Sequence, residues 1–86
     1  MHTVEFLEES LALARQLGYR VRQEWLGGSG GGGCELKGRK WFFLDLALDP
    51  SEQLDQVLAA LRHEPGLAKL DISPALRDRL QVRKVA

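Results

Sequence analysis

The sequence predicts an α+β domain in the order α-β-β-β-α-α, in which helices pack mainly on one face of a three-stranded antiparallel sheet. Two observations predict this class. Apolar residues recur at helical spacing near both ends of the chain, whereas the segments on either side of a central glycine-rich stretch alternate between apolar and polar side chains. That stretch and a short Gly-Arg turn separate three segments of strand length.

The composition is that of one small globular domain, and we expect residues 1–86 to form it. Apolar residues make up 44% of the chain and charged residues 28%. No apolar run approaches the roughly 20 residues that span a bilayer. The N-terminal segment MHTVEFLEES is acidic and amphipathic, unlike a signal peptide. The sequence therefore predicts a cytoplasmic protein with no membrane partner.

The charge balance argues against nucleic acid as a partner, and the cysteine count argues against a disulfide or a zinc site. Twelve basic residues balance twelve acidic ones, which argues against nucleic acid as a partner because non-specific binding depends on a positive field. The single cysteine, Cys34, excludes an intramolecular disulfide, and no Cys/His spacing is typical of a zinc site.

The first element is an amphipathic helix over Thr3–Leu17. Its apolar side chains fall on one broad side, and its acidic side chains fall on the other. Thr3 is a suitable N-cap, and Gly18 supplies the left-handed residue that often follows a helix. The apolar side carries Val4, Phe6, Leu7, Leu11, Leu13, Ala14 and Leu17.

Three strands follow, over Tyr19–Leu26, Cys34–Lys37 and Lys40–Leu48. Glycine at the first central position of Gly38-Arg39 predicts a two-residue type II′ turn between the second and third strands. That turn sets a register in which Leu36 faces Trp41 and Cys34 faces Phe43.

This register divides the apolar residues of the third strand between both faces of the sheet, so each face should be covered. The second face would be closed by the C-terminal segment or by another copy of the protein, with Phe42, Leu44 and Leu46 as the self-associating residues. One face carries Cys34, Leu36, Trp41, Phe43 and Asp45. The other carries Glu35, Phe42, Leu44 and Leu46.

Two helices complete the chain. Asp49 as N-cap, Pro50 at the first helical position and Glu52 in a capping box predict a helix that ends near His63 or Glu64. Ser73-Pro74 begins a short final helix with Leu76 and Leu80 facing inward. Residues 80–86 are predicted to be a frayed tail.

The glycine loop Gly27–Gly33 is the most distinctive stretch, and its last six residues formally satisfy G-x-G-x-x-G, a weak match because a run of glycines fits almost any glycine pattern. A dinucleotide fingerprint needs a helix directly after the glycines, whereas a strand follows here. A phosphate-binding P-loop ends in Gly-Lys-Ser/Thr, whereas this loop runs into Cys34-Glu35. The sequence therefore predicts no cofactor. The loop is either a mobile connector or a backbone-amide site for an anion or peptide.

Several side chains near the loop are candidates for a site. Asp45 lies within an apolar run and needs a partner, which Arg20, Arg22 or the amides of the loop could supply. Cys34 is either a small buried apolar residue or a nucleophile activated by His63. The candidate ligand-binding residues are Gly28, Gly30, Gly32, Cys34, Asp45, Arg20, Arg22 and Lys40.

The segment Leu17–Arg62 combines the glycine loop, the cysteine, a Lys-Gly-Arg hairpin and a Phe-Leu-Asp strand before a helix. In these features it resembles a small family of conserved hypothetical bacterial proteins with no assigned activity. The order of strands and helix is also similar to the region before the active-site helix of ImmA/IrrE-type metallopeptidases. Those enzymes use H-E-x-x-H, whereas His63-Glu64 is followed here by Pro65-Gly66-Leu67, so no metal site is predicted.

We therefore expect a non-enzymatic binding module that uses Gly27–Gly33 and the adjoining sheet face to bind another protein or a second copy of itself. The alternative is a binder of a small anionic ligand or nucleotide, held by loop amides and nearby Arg or Lys. A catalytic role for Cys34, Asp45 and His63 is the third hypothesis.

Overall fold

A computed structural model describes residues 2–28 and 31–80 and confirms the α+β class and the predicted order of elements. The described part contains three α-helices, a three-stranded sheet and one short 3-10 helix. The elements are α1 (Thr3–Gln16), β1 (Arg20–Glu24), β2 (Gly32–Leu36), β3 (Arg39–Asp45), α2 (Pro50–Leu61), the 3-10 helix (Leu67–Lys69) and α3 (Pro74–Leu80).

The sheet is mixed, so the prediction of a purely antiparallel sheet was wrong. Its strand order is β1-β3-β2, with β1 parallel to β3 and β2 antiparallel to β3. The connection from β1 therefore crosses the end of β3 before β2 begins. The third strand is the central strand, and of its apolar side chains only Phe42 and Leu44 lie on the face that the helices cover.

The hairpin between β2 and β3 turns one residue earlier than predicted. Lys37 and Gly38 both have positive φ, at 51° and 76°, which is the backbone of a type I′ turn rather than type II′. Cys34 consequently pairs with Trp41, and Leu36 pairs with Arg39. The predicted cross-strand pairs were wrong by two residues. Because side chains alternate with a period of two, the assignment of residues to the two faces remains correct.

The core lies between one sheet face and the helices. Phe42 and Leu44 point into it from β3, and both are almost fully buried. This corrects their predicted role as exposed residues for self-association; of the three residues proposed for that role, only Leu46 is exposed. The helices contribute Leu7, Leu11, Leu13, Ala14, Leu54, Val57, Leu58, Leu61, Leu76 and Leu80.

The helix ends follow local side-chain chemistry. His2, not Thr3, is the N-cap of α1, and it makes no side-chain capping hydrogen bond, so the predicted Thr3 cap was wrong. Gly18 ends this helix with φ +96°, as predicted. The capping box of α2 is confirmed, because the Asp49 carboxylate accepts from Glu52 N at 2.8 Å and Asp49 N donates to Glu52 Oε1 at 3.2 Å.

The final helix is docked on the first by a polar contact. Glu9 accepts from both Ser73 N and Ser73 Oγ, at 2.8 and 2.7 Å, and so holds the start of α3 against α1. Leu80, the last residue of α3, is buried. The rest of the predicted frayed tail, residues 81–86, lies outside the described residues.

Replacing Gly38 by alanine should lower the free energy of unfolding by about 1 kcal/mol, because a Cβ is disfavoured at positive φ. No atom lies within 4 Å of the position that the Cβ would occupy, so the loss would come from backbone conformation alone. Urea denaturation measures it. Lys37→Asn, at the other positive-φ position, should be neutral or slightly stabilising. Equal loss in both variants would contradict the type I′ assignment.

Candidate functional site

The side chain of Asp45 fixes the path of the glycine loop. Its carboxylate accepts hydrogen bonds from Leu26 N at 3.0 Å, Gly28 N at 2.7 Å and Ala47 N at 2.9 Å. The side chain is fully buried. Of the partners predicted for Asp45, the glycine loop supplies one contact, from Gly28 N, while Leu26 N and Ala47 N outside the loop supply the other two. The backbone oxygen of Asp45 also accepts from Gln53 Nε2 at 2.9 Å, which ties the same residue to α2.

These donors keep the Asp45 carboxyl group ionised. Burial favours its neutral form, but the N–H groups of Ala47, Leu26 and Gly28 outweigh burial and hold the pKa of Asp45 below its ordinary value of 3.8. A carboxylate in this state accepts hydrogen bonds at neutral pH but has no proton to give, so it does not serve as a general acid.

The glycines next to this carboxylate have a structural reason to be glycine. Gly27 and Gly28 have φ of +69° and +85°, a conformation that turns the Gly28 amide toward Asp45 and that side chains disfavour. One amide of the loop, that of Gly28, is therefore already bound to an internal anion, as is the amide of Leu26 just before the loop. Gly30, another predicted site residue, lies outside the described residues.

The sheet face opposite the helices is largely uncovered. We call it the open sheet face and define it by Arg20, Arg22, Cys34, Leu36, Arg39, Trp41 and Phe43, which the registers place on one side. Leu36 is 53% exposed, and Trp41 and Phe43 are only partly buried. A groove of about 410 Å³ runs over this face between Arg22, Leu36, Lys37, Arg39, Trp41 and Phe43.

The aromatic side chains of the open sheet face contact each other, and one of them contacts an arginine. The rings of Trp41 and Phe43 stack with their centroids 6.0 Å apart and an angle of 10° between planes. Arg20 lies 5.8 Å from the centroid of the Trp41 ring, within the range of a cation–π contact. Arg22 pairs with Glu24 at 2.7 Å on the exposed surface. The predicted residues Arg20 and Arg22 thus face the aromatic surface.

A second groove, of about 630 Å³, lies between the edge strand β2 and helix α2, and we call it the β2–α2 groove. Glycine just before the strand makes room there for Gln56, since a Cβ on Gly31 would clash with Gln56 Oε1 and come within 3.1 Å of Phe43 O. Gln56 lines the groove, and its buried Oε1 accepts no hydrogen bond from any described residue. The lining also includes Tyr19, Gly31, Gly32, Cys34, Glu35, Lys40, Ala59, His63 and Glu64.

One end of the β2–α2 groove is closed by a polar cluster. Glu64 accepts from Lys40 Nζ at 2.9 Å and from the Tyr19 hydroxyl at 2.7 Å, and Lys40 also donates to Leu17 O at 3.2 Å. The Lys40 and Tyr19 hydrogen bonds hold the pKa of Glu64 below its ordinary value. Lys40, predicted as an anion ligand, is therefore occupied by an internal carboxylate on the helix-covered side.

The three residues of the catalytic hypothesis are not gathered around one point. Cys34 is exposed and pairs with Trp41, four residues along β3 from Asp45, or about 13 Å at the rise of a strand. The carboxylate of Asp45 is enclosed by backbone donors. Cys34 and His63 both line the β2–α2 groove, so it is Asp45 that lies apart from the other two residues.

Neither a protein-family model nor a curated protein nor a solved structure matched the chain in the comparisons made. Within the described residues, no helix has the length and apolar character needed to cross a membrane. In that same part of the chain, no three His, Cys, Asp or Glu side chains are grouped so that they could hold a metal ion.

Asp45→Asn should lower the thermal midpoint, because the amide group keeps an acceptor for Leu26 and Ala47 but not for Gly28. It should also make the thermal midpoint change less as the pH is lowered. Since the folded pKa lies below the unfolded one, the carboxylate stabilises the fold above about pH 4 and loses this effect as pH falls through the folded pKa. Thermal melts over pH measure both effects. Asp71→Asn, at an exposed carboxylate, is the control; an unchanged acid dependence in Asp45→Asn would contradict the assignment.

Tyr19 should titrate with a pKa of about 12, raised from 10.0 by its burial and by its hydrogen bond to Glu64. It is the only tyrosine, so near-ultraviolet absorbance follows it directly. Because the folded pKa lies above the unfolded one, this contribution to stability is complete below pH 10.0 and is lost as pH rises toward 12. Glu64→Gln should bring the midpoint back toward 10.0. A wild-type midpoint already at that value would rule out the buried hydrogen bond.

Proposed function

We propose that this chain is a non-enzymatic binding module that takes an acidic segment of a partner protein on its open sheet face. The observation that carries the proposal is the groove over Leu36, Trp41 and Phe43, where apolar side chains remain uncovered on the side away from the helices. Uncovered apolar surface rimmed by polar residues is typical of interaction sites. Gly28, at the start of the glycine loop, is attached to Asp45 at the end of the same central strand.

Charge complementarity supports an acidic partner. Arg22, Lys37 and Arg39 line the groove together with the apolar residues, and Arg20 lies beside it on Trp41. Glu24 neutralises only Arg22, to which it is paired. A carboxylate-bearing segment would therefore meet uncompensated positive charge, which favours encounter and correct orientation.

The same charges disfavour a second copy of the chain as the occupant. A two-fold interface places the same patch on both subunits, so this face would bring arginine against arginine. We accordingly propose a different protein as the partner rather than a homodimer.

A protein partner is favoured over nucleic acid by Leu36. This side chain is more than half exposed and offers aliphatic surface, which buries well against apolar side chains but cannot stack on a base. Single-strand binding would need several aromatic platforms and a track of free cations. The open sheet face offers two aromatic side chains, Trp41 and Phe43, and their rings stack on each other.

A small anionic ligand held by the loop has less support. The amide of Gly28 donates to Asp45, and Lys40 donates to Glu64, so these two predicted anion donors are already satisfied. We also propose a cytoplasmic location, because an exposed thiol such as Cys34 is usual in a reducing compartment.

The proposal is tested by selecting binders from a displayed library of short peptides and measuring their affinity by tryptophan fluorescence. Selected peptides should combine Asp or Glu with apolar residues, and their affinity should fall as salt is added. Arg39→Glu should weaken binding by about tenfold or more. Leu36→Ala should also weaken it, with little effect on folding because the side chain is exposed.

Lys69→Glu makes the same charge change at an exposed position outside this face, and it should leave the affinity within about twofold. A thymidine oligonucleotide is titrated in parallel. Peptide affinity that is equal in Arg39→Glu and Lys69→Glu would overturn the assigned face. Tighter binding of the oligonucleotide, lost in Arg39→Glu, would replace the protein partner by single-stranded nucleic acid.

A further inference from the structure

Strand β2 has a free edge that is poorly protected. The order β1-β3-β2 leaves both outer strands unpaired on one side within the described residues. The β1 edge carries Arg20, Arg22 and Glu24, and long charged side chains of this kind block further pairing. The β2 edge begins with two glycines and carries a single charged residue, Glu35. Of the two edges, β2 is the one that another strand can approach.

The register identifies which backbone groups are available at this edge. The two-residue turn makes Leu36 and Arg39 the pair that exchanges both hydrogen bonds. Because hydrogen-bonded and non-hydrogen-bonded pairs alternate, Cys34 is also bonded inward to β3. The N–H and C=O groups of Gly33 and Glu35 therefore point outward, where they can form a ladder with an added strand.

Both grooves of the molecule border this strand. The groove on the open sheet face is lined by Leu36, and the β2–α2 groove is lined by Gly32 through Glu35. Successive side chains of an added strand point to opposite faces of a sheet. One segment lying along β2 would thus place alternate side chains over the open sheet face and into the β2–α2 groove.

We propose that an extended segment of the partner protein adds to β2 as a fourth strand. The inference rests on the proposed function and names how that partner is held. Main-chain hydrogen bonds to Gly33 and Glu35 would supply affinity that does not depend on sequence, and the two grooves would supply specificity. Side chains on one side of the segment would be acidic or apolar, opposite Arg39 and Leu36.

Side chains on the other side of the segment would meet the β2–α2 groove. Ala59 and Ala60 leave room there for an apolar side chain of moderate size. A hydrogen-bond donor on the segment would satisfy Gln56 Oε1, which lacks a donor among the described residues, once this side chain turns into the groove. The recognised segment therefore alternates acidic or apolar residues with small apolar or donor-bearing ones.

A second copy of β2 would fill this place poorly. The side of β2 that faces α2 carries Gly33 and Glu35, so a copy offers no apolar side chain to the groove. It also carries no acidic residue on the side of Cys34 and Leu36. The occupant is consequently a segment of a different protein.

The decisive variant is Glu35→Pro, measured with a peptide selected from the displayed library. Proline removes the outward N–H of residue 35, while no bond to β3 is lost, a position in which edge strands accept proline. The expected result is a loss of affinity of about tenfold or more. Glu35→Ala is the matched control, since it removes the same side chain and keeps the N–H, and its affinity should stay within about threefold of wild type.

Amide hydrogen exchange of the wild-type chain gives a second measurement that needs no variant. Without peptide, the amides of Cys34 and Leu36 should exchange slowly and those of Gly33 and Glu35 quickly. Addition of the peptide should slow Gly33 and Glu35. The inference is overturned if these two amides remain fast in the complex, or if Glu35→Pro binds as tightly as Glu35→Ala.

The two proposals fail in different ways. If Arg39→Glu weakens binding whereas Glu35→Pro does not, the open sheet face is the site and strand addition is wrong. Loss of affinity in Glu35→Pro, with none in Arg39→Glu, would support strand addition and overturn the role of the basic face. If neither substitution changes the affinity, both proposals are overturned.

Discussion

The structure depends most on one carboxylate, that of Asp45 at the end of the central strand. Through its side chain it holds the loop that crosses the sheet, and through its backbone oxygen it is held by α2. An ionised group in this place is stable only because three backbone donors replace water. The start of the loop, the end of the central strand and helix α2 therefore share a single anchoring point.

The sequence was sufficient to locate the α-helices and the strands, but not the 3-10 helix or the topology of the sheet. Hydrophobic periodicity located the helices and strands, and Asp49, Pro50 and Glu52 predicted the start of α2 correctly. Pairing strands in chain order gave the wrong sheet, because sequential neighbours are adjacent only in most cases. One signal pointed to the observed order: Trp41 through Leu44 are apolar on both sides, whereas β1 and β2 are not, as expected of one central and two edge strands.

For the candidate site, the sequence indicated which residues need partners better than it indicated which partners they have. The need of Asp45 for partners followed from the cost of burying an unpaired charge, and loop amides were among the partners considered. The bonds of Lys40 and Tyr19 to Glu64 were missed, since they join residues far apart in the chain. Glu64 was considered only in the comparison with H-E-x-x-H, which was rejected, and no local pattern linked it to β3. Likewise, Gln56 had no signature that distinguished it from any solvent-facing glutamine.

The arginines of the open sheet face give a formally neutral chain an uneven distribution of charge. Arg20, Arg22 and Arg39 share this side of the sheet, while Glu5 and Glu8 are exposed on α1. Such a molecule has an electric dipole although its total charge is zero. In the field of a charged macromolecule it would rotate before contact, so that one side arrives first. A chain with an isoelectric point near neutrality can thus still be oriented by an external charge before it makes contact.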